Sequence, residues 1–92
     1  MSLNKDLTII FVSFYSKNLI EKPISQIGKN IPIIVIENSL DHDFKKKLEE
    51  KYSNVKVVIP NKNTGNGGGA NIGLRLAKTK FVLYLDIDVE LS

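Results

Sequence analysis

Apolar residues along this chain gather into four short, nearly unbroken runs: Leu7–Phe14, Ile33–Ile36, Val55–Ile59 and Phe81–Leu85. Each is rich in β-branched or aromatic side chains and lacks the strict in–out alternation of a half-exposed strand. The first, second and fourth predict strands buried on both faces, as in a parallel sheet, and Val55–Ile59 a further short strand. Between the runs the spacing changes. Ile20, Ile24 and Ile27 recur at helical intervals with Gly28 as the stop, and Pro23 fits such a helix only in its first turn. Phe44, Leu48 and Tyr52 form the apolar stripe of a second helix, capped by Asp41 or Asp43. Ala70, Ile72, Gly73, Leu74, Leu76 and Ala77 support a third, starting inside or just after the glycines of the polar segment Asn61–Gly69. The order β-α-β-α-β-α-β predicts an α/β, Rossmann-like three-layer domain around a mainly parallel four-stranded sheet.

The chain has 92 residues and 10.3 kDa, so one domain spanning 1–92 is expected. Leu, Ile, Val and Phe supply 33 residues, too many for a disordered chain. Cysteine is absent, which excludes a disulfide framework, a thiolate metal site and a cysteine nucleophile. Basic residues outnumber acidic ones by 13 to 10, but twelve of them are lysines scattered along the chain and only Arg75 offers a bidentate fork. That balance predicts a solvated surface and no nucleic-acid partner. Lys45-Lys46-Lys47 reads as the wet face of the second helix. No apolar run approaches a membrane span and the start is not a signal peptide, so a soluble, cytoplasmic protein is expected.

The unusual polar residues fall where the predicted strands end. In open α/β sheets, ligands bind beyond those carboxyl ends. The first strand ends at Ser13, Phe14 and Tyr15. The second runs into Glu37 and Asn38, the third into the Asn/Gly segment, and the fourth into Asp86-Ile87-Asp88. Glu37 follows four apolar residues and either accepts a hydrogen bond from a base or ribose or caps its own loop. The glycines either let backbone approach an anionic ligand at a helix start or let that helix pack closely. Asn63, Asn66 and Asn71 are either ligand contacts or turn and cap residues. Asp86 and Asp88 leave one face of an extended chain, and two close carboxylates suit a hard divalent cation such as Mn²⁺ or Mg²⁺. His42 is the only histidine and sits between two aspartates at a helix start, so it is assigned no catalytic role. No Ser-His-Asp set, His-x-x-x-His pair or P-loop Gly-Lys-Ser/Thr is present.

With these residues in place, the chain resembles the amino-terminal half of a family 2 glycosyltransferase of the GT-A fold. The matching pieces are Thr8–Phe14 with Tyr15, Ile33–Ile36 with Glu37-Asn38-Ser39, Asn63-Thr64-Gly65 with Gly69-Ala70-Asn71-Ile72-Gly73, and Phe81–Leu85 with the Asp-x-Asp motif Asp86-Ile87-Asp88. The resemblance implies transfer of a sugar from a nucleotide-diphosphate donor to a hydroxyl on an acceptor glycan or lipid-linked sugar, as in bacterial polysaccharide synthesis. It implies that Ser13, Phe14, Tyr15 and Glu37 border the base, and that Asn38 belongs to the nucleotide-sugar site. Asn63, Gly65 and Asn71 would then lie along the nucleotide, Asp86 would approach ribose or metal, and Asp88 would ligate Mn²⁺ or Mg²⁺ on the diphosphate.

The pattern departs from the family in two places. Glu37 stands where aspartate is more frequent, and the sequence ends four residues after Asp88, before the acceptor half and its general base. The expectation is therefore a domain that binds donor without transferring it, peripheral to the membrane in a longer form. An apolar last strand left uncovered is expected to self-associate. Two alternatives stand beside this reading. Gly65-Asn66-Gly67-Gly68-Gly69-Ala70 satisfies the dinucleotide pattern G-x-G-x-x-A, which needs no divalent ion, and a non-catalytic α/β assembly fragment would oligomerise without binding nucleotide.

Overall fold

The computed structural model describes residues 6–16, 18–85 and 87. All four apolar runs form strands: β1 (Leu7–Ser13), β2 (Ile33–Glu37), β3 (Val55–Val58) and β4 (Phe81–Tyr84). They alternate with α1 (Glu21–Ile27), α2 (His42–Lys51) and α3 (Gly65–Leu76). Every pairing is parallel and the strand order is β3-β2-β1-β4. Parallel neighbours need crossover connections, which the three helices supply. The chain therefore builds outward from β1 to β3, then crosses back to place β4 on the other side of β1.

Alternate side chains of a strand leave opposite faces, so β1 feeds two cores. Ile9 and Phe11 join Ile33, Val35, Val55 and Val57 under α1 and α2, a layer completed by Ile20, Ile24, Phe44 and Leu48. Ile10 and Val12 join Ile34 and Ile36 on the other face, where Ala70 and Ile72 of α3 pack. Burying each of the larger side chains contributes about 1.5–3 kcal/mol relative to leaving it in water. Continuous apolar runs are the sequence trace of this double coverage.

Helix boundaries follow local chemistry. Asp41, not Asp43, caps α2: its Oδ1 accepts from the Phe44 N–H at 3.0 Å. Pro23 occupies the first turn of α1, where its missing N–H costs nothing. Glu37 belongs to β2 instead of ending it, and Phe14 lies beyond β1.

The helix expected to start inside or just after the glycines starts inside that segment, at Gly65, so all of Gly67-Gly68-Gly69 is helical. Glycine costs a helix about 1 kcal/mol per residue relative to alanine. Tertiary packing overrides that preference. A Cβ on Gly69 would stand 2.9 Å from both γ-methyls of Val12, and one on Gly73 would stand 2.7 Å from Cγ2 of Ile10. Of the two uses open to these residues, Gly69 and Gly73 serve close packing of α3 on β1. One expectation, a fourth strand buried on both faces, is corrected. β4 is an edge strand with Phe81, Leu83 and Tyr84 exposed by 48%, 44% and 40%. Tyr84 shares the face of Ile10, where α3 lies over β1 and β2, while Phe81 and Leu83 share the face of Leu7 and Ile9, where the core is built on β1, β2 and β3.

Candidate functional site

The carboxyl ends of β1 and β2 lie side by side. Ser13 pairs with Glu37 in the ladder, and the Asn38 N–H donates to the Ser13 carbonyl at 2.7 Å. Ser13 is fully buried, yet its hydroxyl has no hydrogen-bond partner among the described residues. A buried polar atom without a partner is rare enough to call for an explanation. Just beyond it the chain leaves the sheet with two exposed aromatics. Phe14 and Tyr15 meet edge to face, ring centres 4.6 Å apart, and Tyr15 is 76% exposed. Tyr15 has φ +53° and Leu40, in the loop after β2, has φ +61°. Left-handed backbone is uncommon for bulky side chains and concentrates at functional sites.

Glu37 is 1% exposed, and its carboxylate is engaged by its own loop. The Ser39 hydroxyl donates to it at 2.6 Å and the Asp41 N–H at 2.8 Å. Of the two roles left open by the sequence, the loop cap is the one the structure displays. Asn38 is equally committed. Its Nδ2 donates to the Gly65 carbonyl at 3.1 Å, while its Oδ1 accepts from the Thr64 N–H at 3.1 Å and the Thr64 hydroxyl at 2.9 Å. Asn38 thus ties the end of β2 to the start of α3. Asn63 turns on itself, its Oδ1 accepting from the Gly65 N–H at 2.8 Å, which is the turn role among the two open to it.

A cleft of about 160 Å³ opens at these ends, lined by Tyr15, Ser16, Glu37, Ser39, Asp41 and Phe44. It is small against the roughly 300–1,000 Å³ of most ligand pockets and suits one ring of a larger ligand. A larger hollow of about 540 Å³ lies against α1 and α2. Lys51 and Glu21 pair along its wall at 2.5 Å, and the strand-end residues Tyr15 and Glu37, which line the smaller cleft, do not line it, so the smaller cleft is the better candidate. Ser13, Phe14, Tyr15, Glu37, Asn38, Asn63 and Gly65 are therefore gathered at one end of the sheet. Asn71 is not joined to them by any hydrogen bond described. It is exposed on α3, two residues from the sheet-facing Gly69. Asp86, Asp88 and the side chain of Asn66 lie outside the described residues. Among the described residues, no three His, Cys, Asp or Glu side chains cluster as a metal site, and no helix is long and apolar enough to cross a membrane.

The shifted acids of the domain lie elsewhere. Hydrogen bonds from the Lys51 ammonium and the Tyr52 hydroxyl hold Glu21 below the usual carboxylate range. Burial pushes Glu49 up, but the Val57 N–H and the Lys45 ammonium outweigh it and leave Glu49 lowered.

The sequence profile of glycosyl transferase family 2 matches residues 14–92. The chain belongs to that family. Fourteen chains of solved structures match this family 2 chain. One is the crystal structure of S. aureus TarS, residues 1–349, at 25% sequence identity and a TM-score of 0.75. The alignment covers 90% of this chain and 27% of that one, so the chain spans about a quarter of its structural relative. No curated protein matches the family 2 chain in sequence. The parallel sheet is accordingly of the GT-A glycosyltransferase type. The dinucleotide alternative loses its footing. Its glycines follow β3 instead of β1, and an added Cβ at Gly65 or Gly67 would meet nothing within 4 Å, so neither is needed for close helix packing.

Ser16, Ser39 and Asp41 of the cleft were not singled out from the sequence as site residues, and neither were Thr64 and Phe44. Thr64 bonds Asn38 through both its N–H and its hydroxyl, and Phe44 lines the cleft as well as the core. The only sequence signal for Thr64 was its place between Asn63 and Gly65.

Proposed function

We propose that residues 1–92 form a nucleotide-diphospho-sugar-binding domain of a family 2 glycosyltransferase. It would hold the donor, with Mn²⁺ or Mg²⁺ on the diphosphate, for transfer of the sugar to an acceptor hydroxyl. The observation that carries this reading is the convergence of Ser13, Glu37, Asn38 and the Asn63–Gly65 turn at the carboxyl ends of adjacent parallel strands. Of these ends, that of β1 borders the point between β1 and β4 where the strand order reverses. That is where open α/β sheets bind ligands.

In this reading the exposed Phe14–Tyr15 pair offers an aromatic surface to the base, and the Ser13 hydroxyl gains a partner from the ligand. Glu37 works through the loop it caps, holding Ser39 and Asp41 along the cleft. Asn63, Gly65 and Asn71 follow the nucleotide. Asp86 and Asp88 supply the hard oxygen donors that a small divalent ion prefers. When bound, that ion would stabilise negative charge on the departing nucleoside diphosphate as a Lewis acid. The acceptor is a glycan or a lipid-linked sugar. The role proposed for these residues is donor binding and not acceptor chemistry. Among the described residues, the one buried carboxylate at the site is Glu37, already engaged by Ser39 and Asp41.

A thermal-shift panel of UDP, GDP, dTDP and NAD⁺, each with Mn²⁺ and with EDTA, tests the reading. A ligand at 100 times its Kd adds about 2.7 kcal/mol, several degrees for a domain of this size. Stabilisation by a nucleoside diphosphate in Mn²⁺ only, lost in Asp88→Ala, is the expected result. A shift with NAD⁺ that ignores EDTA, or no shift with any nucleoside diphosphate, would overturn it.

A further inference from the structure

Glu37 and Asn38, at the end of β2, divide their work by face. Val35 and Ile36 alternate between the two cores, and the next two residues continue that alternation. Glu37 lines the cleft beside Phe44 of α2, and its carboxylate holds Ser39 and Asp41 on that side. Asn38 turns to the other side, where its Nδ2 would stand 3.5 Å from a Cβ added to Gly69 of α3. It is buried and does not line the cleft.

An asparagine side chain offers two lone pairs on its oxygen and two N–H groups. Thr64 takes both lone pairs, and the Gly65 carbonyl takes one N–H. The main-chain N–H of Asn38 donates to the Ser13 carbonyl, so one residue joins β1, β2 and the turn before α3. Thr64 is diverted in its turn. It stands where a threonine hydroxyl ordinarily accepts from the first N–H groups of the helix it precedes. Here it makes no such cap bond and donates to Asn38 instead. Gly68 leaves room for this arrangement, since a Cβ there would stand 2.9 Å from the Cβ of Thr64. The helix thus forgoes a local cap while its first turn is fixed to a distant strand end. Departures from local preference of this kind concentrate at functional sites.

We propose that Asn38 is a positioning residue of the donor site. It fixes the Asn63–Gly65 turn relative to the cleft at the ends of β1 and β2, so that turn and cleft reach one nucleotide, and it does not itself touch the ligand. Glu37 fixes Ser39 and Asp41 in the same way on the opposite face. What the turn is held for rests on the donor-binding reading; that Asn38 holds it does not.

Backbone NMR relaxation of the free protein is the first test. Rigid backbone has an order parameter of about 0.85 and flexible backbone one below about 0.6. In Asn38→Ala the values at Asn63 and Gly65 should fall from the rigid toward the flexible range while those at Ser39 and Asp41 hold, and Glu37→Ala should give the reverse pattern. Gly65 is the informative reporter, because its N–H is bonded to Asn63 and not to Asn38. Equal loosening of both loops in both variants, or an unmoved turn in Asn38→Ala, would overturn the proposal.

Calorimetric titration with UDP, GDP and dTDP in Mn²⁺ is the second test. Asn38→Ala should weaken the nucleotide that binds by about tenfold. Thr64→Val is a milder change that keeps the Thr64 N–H, and it should weaken binding in the same direction. Because Asn38 acts through Thr64, the double variant should lose little more than Asn38→Ala alone. Additive losses, or a loss in Asn38→Ala with Thr64→Val silent, would make Asn38 a direct contact and refute the positioning role. Unchanged affinity in Asn38→Ala would refute it with the donor-binding reading intact. A wild-type chain that binds none of the three would remove that reading, and the relaxation contrast would still decide whether Asn38 sets the turn.

Discussion

Asn38 Oδ1 accepts two hydrogen bonds from a single residue, the Thr64 N–H at 3.1 Å and the Thr64 hydroxyl at 2.9 Å. With its Nδ2 on the Gly65 carbonyl, the side chain welds the end of β2 to the first turn of α3. Asn38→Ala leaves both the Thr64 N–H and the Gly65 carbonyl short of a partner and should cost about 1–3 kcal/mol in urea unfolding. Asn38→Asp keeps the acceptor but turns an oxygen toward the Gly65 carbonyl, so it should not restore stability. Wild-type stability in either variant would show that the weld contributes little.

The glycines of α3 divide by what lies beneath them. Val12 is β-branched and buried, so it cannot swing both γ-methyls away from a new Cβ at Gly69. Gly69→Ala should destabilise by about 1–3 kcal/mol despite the better helix propensity of alanine. A Cβ added at Gly67 would meet nothing within 4 Å, so Gly67→Ala should raise stability by up to about 1 kcal/mol. Thermal unfolding of the two variants checks the contrast, and equal shifts would refute it.

Ser13 makes a prediction of opposite sign for folding and binding. Its buried hydroxyl has no partner among the described residues, so Ser13→Ala should leave the melting temperature unchanged or raise it. If the ligand supplies the partner, nucleoside-diphosphate affinity should fall about three- to tenfold, the equivalent of one hydrogen bond. Calorimetric titration of the variant decides, and unchanged affinity would remove Ser13 from the site.

Acid should weaken the fold through two carboxylates. Glu21 and Glu49 both sit below their ordinary value of 4.5 in the folded protein. A lowered folded-state pKa stabilises above the unfolded pKa and ceases to do so as the pH falls through the folded one. Stability should therefore decline from about pH 5 downward. The Glu21–Lys51 pair is largely exposed and screened by salt, so Glu49→Gln should flatten the profile more than Glu21→Gln at about 0.5 M salt, where the Debye length is only about 4 Å. Melting temperatures measured from neutral pH down to about pH 3 test the order.

Much of the architecture was legible because burial on both faces leaves a one-dimensional mark. Ile33–Ile36 can only be a doubly covered strand, and the polar residues after it announce the end at which ligands bind. The stripe of Phe44 and Leu48 likewise identified α2, and the caps Asp41 and Gly28 lie where local backbone chemistry places them. The assignments of Glu37 and Asn63 to ligand or loop stayed open for a physical reason. Each can satisfy its hydrogen bonds in either way, and the choice rests on the exact turn.

Sequence by itself determined the order of elements, the parallel sheet and the set of polar residues at its carboxyl ends, since periodicity and local caps act over a few residues. Tertiary structure alone decided that Gly69 and Gly73 are seats for Val12 and Ile10, that Asn38 belongs to Thr64 and Gly65, and that Glu49 and Lys45 bind the backbone of Val57 in β3. Those outcomes depend on which surfaces meet across the sheet, and close packing and hydrogen-bond geometry are set only when they do.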